Sequence, residues 1–102
     1  MRLYSLCTLI LLTLALTLPA RAGDNEATFV QKCGSCHQRG GQAPPVNPAD
    51  KAGLVWKKYF KRGRHPVDLA ATINDAEMAL ILSYLQDHAA DSDHPVAAAI
   101  PK

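Results

Sequence analysis

The pentapeptide Cys33-Gly34-Ser35-Cys36-His37 constrains this chain more than any other stretch. Its form is C-x-x-C-H, the pattern of covalent haem attachment. Each position has a chemical reason. Two thiols spaced by two residues can each add to one vinyl group of the same haem, forming two thioethers. The adjacent His37 then falls beneath the iron and can ligate it through a ring nitrogen. Gly34 and Ser35 are small, so the backbone can lie close along the macrocycle edge. Three other chemistries use similar residues. A dithiol redox pair belongs near a βαβ pattern, and no strand-rich stretch follows here. A structural zinc site takes four ligands, usually as two spaced pairs, whereas one Cys pair is present and His37 sits close against Cys36. A plain disulfide leaves His37 without a role.

Ahead of the motif, Arg2 supplies a minimal positive region and Leu3 to Leu18 is almost wholly apolar. Pro19-Ala20-Arg21-Ala22 then ends in an A-x-A pattern, which predicts a signal peptide over residues 1–22, cleaved after Ala22. An uncleaved membrane anchor competes, but the apolar run is short for a spanning helix of ~20 residues. Cys7 lies inside that run, far upstream of the A-x-A site, and is badly placed for a lipoprotein anchor. Cleavage leaves 80 of the 102 residues and removes Cys7, so that Cys33 and Cys36 remain as a pair. A chain of that size is one domain whose core alone is barely sufficient. A covalent haem is a large apolar body around which it can fold.

Export predicts a periplasmic location, with no membrane association after cleavage. The formal charge of +2 disappears as well: without Arg2 and Arg21, 9 of the 11 basic side chains remain, against 9 acidic ones. No general affinity for nucleic acid is indicated.

Gly23 to Cys36 reads as a short helix running into the motif, started by Asp24, Asn25 and Glu26. Phe29 lies four residues before Cys33, on the same face. Gly40-Gly41 and Pro44-Pro45 make Gln38 to Asn47 a loop. One task for it is to offer a backbone carbonyl, such as that of Pro44, to the Nδ1–H of His37 and so fix its tautomer. The competing reading is a simple connector. Asn47, Pro48 and Asp50 predict the start of a second helix, with Asn47 as cap, running to about Arg62 and stopping at Gly63. Its apolar stripe is Leu54, Val55, Tyr59 and Phe60, with Trp56 at the edge, either partly buried or donating its indole N–H to a haem propionate. Lys57, Lys58, Lys61, Arg62 and Arg64 form a basic run. It is either a solvated helix face or a docking rim for an acidic redox partner. After a loop from His65 to Thr72, Asn74 and Glu77 form a capping box, and Ile73 and Met78 a hydrophobic staple. The third helix then continues to roughly His88. Residues 91–102, with Pro95 and Pro101, read as an extended surface tail with a guessed role in assembly.

Three helices, two long loops and no strand pattern predict an all-α fold. A helix into C-x-x-C-H, a middle helix and a final helix carrying Tyr84-Leu85 together resemble a small monohaem class I-type cytochrome c. The resemblance covers most of residues 23–90; its specific part is the haem motif. It implies a three-helix domain wrapped around one covalently bound haem c. It also implies that first and last helices cross, bringing Phe29 towards Tyr84.

The family usually takes its second axial ligand from a Met in the loop before the last helix, and this sequence departs from that. Met78 lies inside the final helix, where a Met at helical spacing is core. His65 occupies the loop position instead, after Gly63 and before Pro66. The expectation is therefore Cys33 and Cys36 as thioether attachments, His37 as proximal ligand and His65 as distal ligand, ahead of Met78. A solvated loop histidine is the bland alternative for His65. Two histidines lack the potential-raising effect of Met/His ligation, so a low-spin, low-potential haem carrying single electrons is expected. No catalytic constellation accompanies it, which favours an electron carrier over an enzyme. The competing function is a haem protein with an open or labile distal site that binds O2 or NO or reacts with peroxide.

Overall fold

The computed structural model describes residues 22–102, so the expected signal peptide lies outside the described residues. The fold is all-α. Helix α1 spans Ala22–Gly34, α2 spans Gly53–Lys61 and α3 spans Asp75–Asp87, with single 3₁₀ turns at Pro48–Asp50 and Leu69–Ala71. Among the described residues the only β-type pairing is an isolated bridge between His37 and Ala43. No described helix is long and apolar enough to cross a membrane.

Helix α3 begins as its sequence demands. Asn74 Oδ1 accepts from the Glu77 N–H at 2.8 Å, and Glu77 Oε1 accepts from the Asn74 N–H at 3.1 Å. These reciprocal bonds satisfy two of the donors that every helix start leaves open. Lys32 of α1 then pairs with Glu77 at 3.1 Å, linking the two helices. The helices meet through buried aromatics: Phe29 of α1 is 1% exposed, and its ring lies 5.3 Å from that of Tyr84 on α3. This is the contact that the crossing of first and last helices requires. Ile81 and Leu85 of α3, Trp56 of α2 and Ile73 complete one core, with Met78 and Phe60 packed against it.

The middle helix departs from expectation in three ways. It starts at Gly53 rather than Pro48, because the backbone around Lys51 is engaged elsewhere. The Lys51 carbonyl accepts from the Ala90 N–H at 3.0 Å, and the Gly53 N–H donates to the Asp91 carboxylate at 2.9 Å. Tertiary partners have taken the groups that a continuous helix would use. Second, the inward face is Trp56 and Phe60, four residues apart with rings stacked at 6.2 Å, while Leu54 and Val55 are 59% and 48% exposed. Third, Trp56 is neither at the surface nor free to reach a propionate: it is buried, and its Nε1–H donates to the Pro48 carbonyl at 2.8 Å. The stop is as expected. Gly63 has φ +61°, a left-handed conformation that glycine adopts without a Cβ penalty.

The segment 91–102 has no helix or strand, yet it is not merely laid on the surface. Ile100 is 2% exposed and belongs to the core. The Ala49 N–H donates to the Val96 carbonyl and the Val96 N–H to the His88 carbonyl, each at 3.0 Å. His88 adds a bond from Nδ1–H to the His94 carbonyl at 2.8 Å.

Candidate functional site

Helix α1 delivers Cys33 in its last turn and ends at Gly34. The chain then folds tightly, with the His37 N–H donating to the Cys33 carbonyl at 2.9 Å and the Ser35 hydroxyl to the Lys32 carbonyl at 2.9 Å. Loop 38–43 closes back on the motif through the Ala43 N–H, which donates to the Cys36 carbonyl at 3.0 Å. The approach is so close that a Cβ on Gly41 would lie 2.6 Å from the Cys36 oxygen. Only glycine fits there.

This closure brings Pro44 to His37. The His37 Nδ1–H donates to the Pro44 carbonyl at 2.8 Å. A carbonyl can only accept, so the proton sits on Nδ1 and the neutral ring presents a bare Nε2, the form that ligates a metal. The loop has the expected orienting contact rather than serving as a simple connector.

His65 stands across from it. The two imidazole centroids are 6.1 Å apart with their planes at 64°. Two imidazoles bound to opposite sides of one metal through M–N bonds of about 2 Å would have centroids roughly 6 Å apart. The pair matches that separation, and its rings meet edge-on. His65 Nδ1 lies 2.9 Å from the Val67 carbonyl and 3.2 Å from the Val67 N–H. The shorter contact suits the same tautomer as in His37, and the longer one suits the opposite tautomer.

Beside His65 lies a cavity of about 300 Å³, bounded by Tyr59, Phe60, Leu69 and Met78. Met78 thus faces the same space as His65, although it also packs on the core. Of the remaining two histidines, His88 has its Nδ1 engaged by the backbone carbonyl of His94 at 2.8 Å.

The two thiols are free and half-buried. Burial, and secondarily the neighbouring Cys36, push the Cys33 thiol up to about 11. Dithiol redox motifs depend on a thiol pKa lowered well below the usual value. Cys33 has the opposite environment. Among the described residues, no three His, Cys, Asp or Glu side chains converge as a metal-ligand cluster. The groups brought together are two imidazoles in edge-on contact and two thiols on the turn beside one of them. That set fits a haem held by thioethers and two histidines.

No protein-family profile, curated protein or solved structure matches this chain.

The basic run is exposed along most of its length, from Lys57 through Lys58, Lys61 and Arg62 to Arg64. Among the described residues, none of these five cations is paired with a carboxylate. Gly63, within the run, bounds the His65 cavity, so the positive surface and the cavity share an edge. Sequence reasoning misses two residues that shape the site. Asn47 reads as a helix cap, but its side chain is fully buried and bonds to the backbone of Ile100. Ile100 itself reads as part of a surface tail. The one signal against that reading is that Ile100 ends an apolar run beginning at Val96.

Proposed function

We propose that this protein is an exported c-type cytochrome that carries single electrons on one covalently bound, bis-histidine haem. The observation that carries the reading is the proximity of His37 and His65, whose ring centroids are 6.1 Å apart, with His37 Nδ1 engaged by the Pro44 carbonyl. The C-x-x-C-H order of Cys33, Cys36 and His37 adds the covalent attachment. When bound, the haem supplies a one-electron iron couple. The chain's residues do the rest. Cys33 and Cys36 would hold the ring through thioethers, and His37 and His65 would supply nitrogen ligands that favour a low-spin iron. Two imidazoles without a thioether ligand keep the potential low.

The unpaired cations from Lys57 to Arg64 are the docking surface for an acidic redox partner, steering encounter by long-range attraction. One observation favours a second reading, a haem protein with a labile distal site. His65 bonds only to Val67, two residues away, and adjoins a cavity of about 300 Å³ that can admit a small ligand.

Absorption spectra of the oxidised and reduced exported protein, with a potentiometric titration, decide between these. The carrier reading expects thioether-haem bands, a low-spin ferric form and no spectral change under CO after reduction. Rapid formation of a CO complex supports the labile site instead. Absence of haem removes both.

A further inference from the structure

We propose that Asn47 is a positioning residue for His37, clasping the C-terminal segment so that the carbonyl orienting the imidazole stays in place. The inference rests on the haem reading for its purpose, though its geometry stands without it. Asn47 is 0% exposed. Its Nδ2–H donates to the Ile100 carbonyl at 3.0 Å, and its Oδ1 accepts from the Ile100 N–H at 2.8 Å. A side-chain amide offers a donor and an acceptor side by side, matching the two groups of one backbone residue. Ionised aspartate lacks the donor, leucine lacks both, and serine has both only on one shorter-reaching oxygen. Burying such a group is costly unless its polar atoms are paired, and here both are.

The clasp acts on a short, stiff stretch. Pro44, whose carbonyl takes the His37 proton, lies three residues before Asn47, with the fixed φ of Pro45 between them. Pro48, on the other side, is held by the indole N–H of Trp56, and the Asn47 N–H donates to Asp50 at 2.9 Å. Ile100 completes the circuit. Its side chain lies against Gly34 inside the C-x-x-C turn, where a Cβ on the glycine would be 3.7 Å from Ile100 Cδ1. The end of the chain thus touches both the motif and the loop that orients its histidine. An acceptor held at fixed distance from Nδ1–H raises the basicity of a ligating imidazole, and one that wanders does not.

The test is hydrogen exchange of the His37 Nδ1–H, followed by NMR in the exported protein and in Asn47→Leu, Trp56→Phe and Asn74→Ala. Asn47→Leu speeds the exchange roughly tenfold or more, the factor that loss of two net hydrogen bonds implies. Trp56→Phe, which removes one bond and keeps an aromatic ring, has a smaller effect in the same direction. Asn74→Ala, which weakens the α3 cap and removes no bond to this loop, leaves it unchanged. In the haem-loaded protein, the potential of Asn47→Leu rises because the imidazole becomes a poorer donor to the oxidised iron. Unchanged exchange in Asn47→Leu overturns the proposal, and unchanged exchange in Trp56→Phe overturns it if Asn47→Leu does not fold. Equal acceleration in Asn74→Ala overturns it as well. Should the wild type carry no haem, the haem reading fails, and exchange in that haem-free protein still decides the role of Asn47.

Discussion

His37 is followed by a loop tied across the molecule by buried bonds, whereas His65 is followed by one whose bonds are local except for an exposed one, from the Lys32 ammonium to the Thr72 carbonyl at 3.3 Å. Pro44 accepts from His37, Asn47 ties to Ile100 over a separation of 53 residues, and Pro48 takes the Trp56 indole. On the other side, His65 bonds to Val67, and Asp68 accepts from Ala70 to cap a single 3₁₀ turn. Val67 is 61% exposed. Leu69 packs on the core, but the bonds around Val67 are exposed and local, so opening that part of the loop has a low free-energy cost. The difference teaches how one small fold can treat two histidines differently. One imidazole is fixed in tautomer and direction; the other is presented by a segment that can yield.

Breaking the fixed side has the largest expected effect. Asn47→Leu leaves the Ile100 N–H and carbonyl buried without partners, at about 1–3 kcal/mol each. Chemical denaturation of the mature protein should show a loss of about 2–5 kcal/mol. Trp56→Phe should cost about 1–2 kcal/mol in the same assay, since it orphans only the Pro48 carbonyl. On the yielding side, Val67→Ala should stay within about 0.5 kcal/mol of wild type. A result in which the two loops respond equally removes the contrast.

A smaller effect sharpens it from outside both loops. The Asn74 N–H, then the Lys32 ammonium, hold the Glu77 carboxyl below the usual carboxylate range. A carboxyl depressed in the folded state stabilises the fold above its unfolded pKa and loses that contribution as pH falls through its folded value. Wild type should therefore exceed Glu77→Gln in stability at neutral pH, with the gap closing under acid conditions. Denaturation curves across pH should show this closing without any change in the His37 environment.

The contrast also explains what is legible in the residues alone. C-x-x-C-H, the Asn74/Glu77 capping box and the stop at Gly63 are local devices, satisfied by neighbours a few residues away. Each stands where the sequence puts it. The Pro44 contact is accessible for the same reason, since a separation of seven residues leaves few carbonyls within reach of His37. Asn47 does stand at the cap before Pro48, where its N–H donates to Asp50, but only a single 3₁₀ turn follows, and its side chain is bonded to a partner at the far end of the chain. The same distant segment moves the start of α2, since Ala90 and Asp91 take the backbone groups of Lys51 and Gly53. With that start shifted, Trp56 and Phe60 become the inner face and Leu54 and Val55 the outer one. Periodicity alone cannot fix the phase of a nine-residue helix whose apolar residues lie on two sides.

The ferric absorption spectrum of exported His65→Ala, compared with wild type, tests the central claim most directly. Loss of the second imidazole should convert a low-spin spectrum to a high-spin one while the thioether-haem bands persist. A low-spin spectrum indistinguishable from wild type would contradict the pairing of His37 with His65.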